Sequence, residues 1–476
     1  MSKKVNLVLW GFGLAGVYAL WRGTERNRLQ VANMVIPRGR KIVILGAGFG
    51  GRNVAVELAK LLPEPDDGEI IVVDENPFLL FTPMLTESAG GELDTNHIIS
   101  PAFHLPRRIR FEQGRIDAID LKEKRVTFTI GNPAEGVPGA QRSLSADQLV
   151  IALGSVTNFR GIAGLEQHAL PMKRLQDAAA VRARVLALLE RADEEGSAEA
   201  RKPFLTFVVG GGGFTGVETM AAINDLVREQ VDRFPNIDPK DVRTVLVHPG
   251  DRLLPELGPS LAACAQRELQ GRGVEVLLNT KITGAGEGYV ELAGNRRIPT
   301  YLLIWAAGVK PSPAIETMDC RRGRHGGIEV DASCAVPDHP GVWALGDCAE
   351  IPHPSGQGTY APTAQNATRE GTQVARNIVA TLQGERPQPF RFQPVGELAL
   401  VGKRHGVARV YKFHFSGFLA WAMWRAIYWA KMPDLTQRAR ILLDWVLDLA
   451  FGRDIVLEAA PFIATPTGDA KHPPAG

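Results

Sequence analysis

The sequence predicts an α/β protein with two Rossmann-like dinucleotide-binding domains, the second inserted in the first, and a C-terminal helical region on a membrane surface. Three observations carry this reading. A glycine fingerprint between a strand and a helix occurs at Gly46-x-Gly48-x-x-Gly51 and again at Gly211-x-Gly213-x-x-Gly216. The strand pattern of the first unit resumes after the second and ends at Gly346-Asp347. Six of the eight tryptophans lie before residue 22 or after residue 420, and Trp favours the membrane–water interface.

Composition narrows the function classes. The 476 residues allow two or three domains with a substantial core, and 45% apolar with 22% charged residues is an ordinary globular mixture. Basic and acidic residues nearly balance at a net charge of +2, so there is no nucleic-acid footprint. Cys264, Cys320, Cys334 and Cys348 form no C-x-x-C pair and match no zinc spacing, which excludes flavin–disulfide chemistry and predicts no metal site.

Taken in order, the chain begins with a 17-residue uncharged run, Val5 to Trp21, bounded by Lys3 and Lys4 and then by Arg22, Arg26 and Arg28. As a helix it would be ~25 Å long, short of a ~30 Å hydrocarbon core. The run is expected to contact the membrane, and the heavier positive charge after it places the catalytic body on the cytoplasmic side. Its Gly11-x-Gly13-x-x-Gly16 fits the fingerprint, but Arg-rich sequence follows instead of an amphipathic helix and a strand ending in an acid.

Lys41 to Gly51 does have that context. Ile42 to Leu45 reads as a buried parallel strand, and Arg52 to Leu62 has helical spacing. Gly46 permits the tight turn, Gly48 lets backbone approach a pyrophosphate, and Gly51 lets the helix pack on the sheet. The next strand, Glu69 to Val73, ends in Asp74, placed to meet a ribose hydroxyl after a connection lengthened by Pro63 to Gly68. An apolar loop, Phe78 to Gly91, bends at Pro83. Strands are expected over Arg110 to Ile119 and Arg125 to Ile130, with a Gly/Pro-rich insertion after them, and Leu149 to Ser155 is a buried strand whose Gly154 suits contact with a cofactor.

A long helix over residues 173–200 precedes the repeat. Phe204 to Val209 is a strand, the second glycine loop opens a helix carrying Glu218, and Val242 to Val247 ends in His248 where an acid is expected. Leu302 to Gly308 closes the inserted unit. The carboxylate of Asp347, at the end of the returning strand, suits the hydroxyls of a flavin's ribityl chain. From Phe413 onward short helices rich in Trp, Leu and Arg suit an interfacial position, with a dimer interface or a lid as the other readings.

This order of motifs resembles the type II NADH:quinone oxidoreductases, single-subunit flavoproteins of the membrane surface. The matching stretches are Gly46–Gly51, Phe81-Thr-Pro-Met-Leu85, Gly211–Glu218, Trp305–Val309, Ala344–Asp347, Ala361–Gly371 and Gly396 to Leu457. Gly417-Phe-Leu-Ala-Trp421, Asp444-Trp445 and Gly452-Arg-Asp454 are the more specific of them. The resemblance implies an enzyme that passes a hydride from NADH or NADPH to FAD and then electrons to a lipid quinone. It implies domains over residues 39–165 and 325–395 for FAD, 166–324 for the nicotinamide cofactor and 396–463 at the membrane, between an N-terminal segment 1–38 and a disordered tail 464–476. A homodimer is expected.

The resemblance places Gly46, Gly48, Gly51, Asp74, Pro83, Gly154 and Asp347 around FAD. It places Gly211, Gly213, Gly216, His248 and Gly308 around the nicotinamide cofactor. Glu218 would lie near the nicotinamide–flavin stack, and Ala364 and Gln365 where the quinone headgroup meets the flavin. Two residues depart from the family. The quinone motif A-Q-x-A-x-Q ends here in Arg369, a fixed cation that accepts no hydrogen bond and would stabilise an anionic quinol or the reduced flavin. The other reading of Arg369 is an outward ion pair, with a different electron acceptor. His248 replaces the acid, which leaves the choice of NADH or NADPH open, with Arg252 near enough to meet a 2′-phosphate. A sulfide:quinone oxidoreductase would need redox cysteines beside the flavin, and none precedes Cys264. A reductase with another acceptor and a flavin-bearing sensor are the remaining alternatives.

Overall fold

The computed structural model of the chain describes residues 39–64, 68–131, 139–356, 358–451 and 453. The apolar run 5–21, most of the Gly/Pro-rich insertion and the tail 464–476 lie outside the described residues.

The first fold opens with β1 (Lys41–Leu45), α1 (Phe49–Leu61) and β2 (Glu69–Asp74), then a short helix α2 (Leu85–Ala89) and β3 (Ile109–Gln113). An antiparallel sheet of β4 (Arg115–Asp120), β5 (Arg125–Ile130) and β6 (Ala140–Ser145) follows, before β7 (Gln148–Ile151) rejoins the parallel sheet. The second fold contains β8 (Ala169–Pro171), α3 (Leu175–Glu194), β9 (Thr206–Gly210), α4 (Phe214–Gln230), β10 (Arg243–Val247), α5 (Pro259–Gly271), β11 (Val274–Leu277) and β12 (Leu302–Trp305). β13 (Val342–Ala344) then returns to the first sheet, and α6 (Ala364–Leu382) packs against α1. The C-terminal module is β14 (Gly396–Gly402), β15 (His405–Val410), β16 (Phe413–Gly417), α7 (Phe418–Lys431) and α8 (Leu435–Phe451).

The two parallel sheets have the orders β13-β7-β1-β2-β3 and β8-β12-β9-β10-β11. In each, the strand that runs into the glycine loop is central and pairs with the strand that carries the acid position. Ile42–Leu45, Ile70–Val73 and Leu149–Ile151 are completely buried, as expected of strands covered on both faces. Each glycine loop therefore lies at the carboxyl end of its strand, where open α/β sheets bind ligands. Val342 pairs with Leu149 across the whole inserted fold, so the second unit interrupts the first without dividing its sheet.

Three sequence expectations need correction. The strand expected over Arg110 to Ile119 is two strands in different sheets, parted at Gly114, where a Cβ would press on the Phe128 ring at 2.5 Å. The helix expected over 173–200 runs only from Leu175 to Glu194 and resumes as one turn, Ala198–Arg201; Lys173 and Arg174 form the turn before it. The C-terminal region is not purely helical, because the antiparallel sheet of β14, β15 and β16 precedes its helices. The hairpins of that sheet turn through Arg404 (φ 62°) and Tyr411 (φ 52°), neither of them a residue that announces a tight turn.

A single apolar core joins α2, α3 and α4 to the C-terminal sheet and to Trp424, Ile441 and Trp445 of α7 and α8. The C-terminal module is thus built into the body of the protein.

Candidate active site

The two glycine loops share one geometry. Gly46 has φ 98° and Gly211 φ 125°, and a Cβ on either would collide with the backbone carbonyl of Ala152 or Ala306 on the neighbouring strand end. Gly51 and Gly216, each inside the first helical turn, lie against the carbonyl of the first glycine of their own loop. A Cβ on Gly48 or Gly213 would meet nothing within 4 Å, and these two residues cap α1 and α4. Protein packing does not require them to be glycine. What they leave open is the space beside the helix N–H groups, where a pyrophosphate binds.

The acid positions are also equivalent. Asp74 Oδ2 accepts from the amide of Ala47 at 2.6 Å, and His248 Nδ1 accepts from the amide of Gly212 at 3.1 Å. Ala47 and Gly212 occupy the same place in their loops. Outward the two differ. Asp74 Oδ1 is an acceptor, used by the Asn76 amide at 2.7 Å, whereas a His248 ring accepting at Nδ1 carries its proton on Nε2 and presents a donor. Burial raises the Asp74 carboxyl above its ordinary range and lowers His248 below 6.5, although Glu256 and Asp251 oppose the latter shift.

A cleft of ≈ 540 Å³ opens from the first loop. Gly46, Gly48, Phe49, Asp74, Thr82, Gly154, Asp347 and Ala364 border it, as do Lys173 and Leu175 from the second fold. Asp347 Oδ2 accepts from Ser155 Oγ at 2.5 Å, and among the described residues no hydrogen bond uses Oδ1. The residues fit a flavin dinucleotide: a helix N-terminus without a side-chain cap for its phosphates at one end, and an open carboxylate oxygen for its polyol at the other.

The first turn of α6 forms the far wall. Thr363 caps it by accepting from the Asn366 amide at 3.2 Å, which sets Ala364 at the cleft edge and leaves Gln365 partly exposed beside it. One turn on, Glu370 accepts from the Gly346 amide at 2.8 Å, just before Asp347. Burial, helped by Asp347, pushes its carboxyl up to about 7. Arg369 points the other way. It is exposed, sits 5.7 Å over the Phe392 ring and borders no part of the cleft. Its charge, after burial, helps to lower the Lys431 ammonium at the end of α7.

A file of aromatic rings leads from the cleft into the C-terminal module. Phe49 meets Phe81 at 5.6 Å, Phe81 meets Tyr428 at 6.3 Å, and Tyr428 meets Trp424 at 4.6 Å. Glu218 ends the file. Its Oε1 accepts from Trp424 Nε1 at 3.1 Å and from the Leu400 amide at 3.0 Å. Burial raises this carboxyl to about 8 against both hydrogen bonds, so it is mostly protonated at neutral pH.

Below this file lies a buried ionic cluster. Arg425 donates to Glu87 at 2.9 Å and to Glu92 at 2.6 Å, and its guanidinium lies between the rings of Trp421 and Trp445 at 4.4 and 4.7 Å. Arg453 reaches Glu92 from the other side at 2.7 Å. Arg453 also lies 3.2 Å from Glu229 and 3.9 Å from Asp448, so carboxyls outnumber the two arginines. Burial raises Glu87 to about 8, while Glu92, between the two cations, is held below its ordinary value.

Comparison with known proteins decides the family. Residues 40–371 match the pyridine nucleotide-disulphide oxidoreductase family, and residues 395–454 match the NDH2 C-terminal domain. The chain is 30% identical over 439 residues to a probable NADH dehydrogenase of Dictyostelium discoideum, covering 90% of this chain and 93% of that one. It is likewise 30% identical to the type II NADH:quinone oxidoreductase NdhA of Mycobacterium tuberculosis, over 85% of this chain and 86% of the relative. This chain belongs to the type II NADH:quinone oxidoreductase family. Its fold matches that of NDH2 from Plasmodium falciparum, solved with NADH, at a TM-score of 0.80 and 20% identity over 88% of this chain and 100% of the other.

Against this background the type II enzyme assembles most of the expected residues. Gly46, Gly48, Asp74, Gly154, Asp347 and Ala364 share the cleft. Pro83 is the middle residue of the short 3-10 turn Thr82–Met84, with Thr82 at the cleft wall. Gly308 stands apart, its φ of 124° facing the Arg160 guanidinium. Glu218 lies beneath the C-terminal sheet and does not border the cleft, as buried α4 packs on β14. Sequence reasoning missed Ser155, Lys173 and Glu370. Only Glu370 had a signal, a carboxylate immediately after Arg369, the last position of the quinone motif; Lys173 lies in no motif.

Proposed function

We propose that the cleft holds FAD, that the second glycine loop holds the nicotinamide cofactor, and that a lipid quinone reaches the Ala364–Gln365 edge from the membrane side. When bound, the flavin supplies the chemistry: it takes a hydride from the reduced nicotinamide and passes two electrons to the quinone. The protein's own residues bind, orient and exclude water. Asp347 orients the polyol, the N-termini of α1 and α4, which no side chain caps, take the phosphates, and the aromatic file keeps the route to the quinone dry.

One observation carries the membrane side of this reading. Helix α8 buries Gln437, Ile441, Trp445 and Asp448, and turns Leu435, Leu442, Val446 and Leu449 outward at 51–76% exposure. An amphipathic helix in water does the reverse. Phe418 and Leu419 of α7 extend the same outward apolar surface. Among the described residues no helix is long and apolar enough to cross a membrane. We therefore read α7 and α8 as lying in the headgroup layer of the cytoplasmic leaflet. Part of the face would be shared with a second copy in a homodimer.

Vesicle flotation tests this reading. Wild-type protein should float with anionic liposomes, and the double variant Leu442→Glu/Val446→Glu should remain at the bottom while keeping its flavin absorbance and its activity with a soluble quinone. A variant that still floats removes the membrane assignment of α8.

A further inference from the structure

Asp347 is held by two side chains from different folds. Ser155 follows Gly154 in the first fold, whereas Lys173, whose Nζ is 3.3 Å from the same Oδ2, belongs to the turn between β8 and α3 of the second. That turn is fixed in place. The amides of Lys173 and Arg174 both donate to Asp177 Oδ2, at 2.8 and 2.7 Å. An ammonium has three donors, and among the described residues Asp347 is the only side chain that receives one from Lys173. Lys173 and Asp347 both border the large cleft, so the remaining donors face its interior.

We propose that Lys173 is a positioning residue for the flavin: the nicotinamide-binding fold uses it to aim Asp347 and to set a fixed positive charge beside the cofactor. The proposal rests on the flavin reading of the cleft. A hydride brings two electrons and one proton, so each first half-reaction leaves the cofactor with one extra negative charge. That charge leaves when two electrons and the proton pass to the quinone, which takes its second proton from water. A cation beside the cleft favours the reduced form over the oxidised one. Because Lys173 belongs to the second fold, the charge is in place only while the two folds are docked. Asp347 is its direct partner, and Asp74 and Glu75 are the other acidic residues that border the cleft.

The test compares holoenzymes of wild type, Lys173→Met and Lys173→Arg, equilibrated anaerobically with a redox dye of known potential. FAD affinity is read separately by titrating apoprotein with FAD. The Met variant should shift the reduced-to-oxidised ratio at least tenfold toward oxidised, about 30 mV for a two-electron couple, and hold FAD several-fold more weakly. The Arg variant should stay within twofold of wild type in both. If the Met variant does not retain FAD, Lys173→Gln, which keeps a donor without the charge, is titrated in its place with the same expectation. An uncharged variant at the wild-type potential overturns the proposal, whatever its turnover. Wild-type protein without flavin absorbance would overturn the reading of the cleft instead.

Discussion

His248 accepts the Gly212 amide through Nδ1 at 3.1 Å, in the position where Asp74 accepts the Ala47 amide in the sister fold. The inner hydrogen bond survives the exchange of carboxylate for imidazole, and the outer atom changes from acceptor to donor. A ribose 2′-hydroxyl is served best by a carboxylate, while a 2′-phosphate needs donors and is repelled by one. Arg252, in the same loop, adds a buried Nε with no hydrogen-bond partner among the described residues. NADPH is therefore expected to be used within about tenfold of NADH in kcat/KM, and His248→Glu should move the ratio toward NADH by tenfold or more, about 1.4 kcal/mol. Strong rejection of NADPH by wild type, with no change in the Glu variant, would show that this residue does not read the ribose.

Glu218 gives a pH dependence whose sign is fixed by burial. Its carboxyl titrates near 4.5 in the unfolded chain and is raised to about 8 in the folded one. Between those values the folded protein holds a proton that the unfolded chain has released, so this contribution is present below pH 4.5 and is lost as pH rises through 8. Glu87 acts in the same direction. Melting temperature should fall from pH 6 to pH 9, with a shallower slope in Glu218→Gln. The amide oxygen of Gln can still accept from Trp424 and Leu400. Glu218→Leu cannot, and stranding those two buried donors should cost about 1–3 kcal/mol each. An unchanged slope in the Gln variant would assign the proton elsewhere.

The Arg425 cluster separates charge from shape. Glu87 is held largely protonated and Glu92 ionised, so the pair that needs its cation is Arg425–Glu92. Arg425→Met should destabilise the protein by about 3–5 kcal/mol, because it leaves a buried carboxylate without one of its partners. Glu87→Gln, which replaces a neutral acid with a neutral amide, should stay within about 1 kcal/mol of wild type. Denaturant titrations of both variants measure the difference. Equal losses would mean that Glu87 is ionised after all.

The parts of this protein legible in its sequence are those set by backbone geometry. Gly46 and Gly51 have no side chain because neighbouring carbonyls occupy that space, and the same constraint at Gly211 and Gly216 marks the repeat. Period and composition likewise exposed the buried strands and the Trp-rich end. What was not legible depends on which segments meet. Lys173 reads as an ordinary helix-flanking lysine until the fold brings Asp347 to within 3.3 Å of it. Glu218 sits in the fingerprint helix, yet its surroundings come from Leu400 and Trp424, 182 and 206 residues further on. The sheet β14–β16 escaped because Arg404 and Tyr411 take positive φ at its turns without being Gly or Asn, and Gly402 (φ 126°) alone marks the first hairpin.

Arg369 is the residue in which sequence and geometry divide most sharply. The motif places it at the quinone, and the fold turns its side chain outward, over Phe392 and toward Lys431. A direct role with the flavin would require it to border the cleft, and it does not. Its charge can still act on whatever approaches Gln365 from the end of α7, where Lys431 already lies in its field. Arg369→Gln should leave flavin reduction by NADH unchanged in stopped flow, and should alter kcat/KM for quinone two- to tenfold. The effect should shrink at high ionic strength, since screening acts on an exposed charge first. A change in the NADH half-reaction would place Arg369 on the flavin and contradict its outward course; identical kinetics in both half-reactions would leave it as a surface cation.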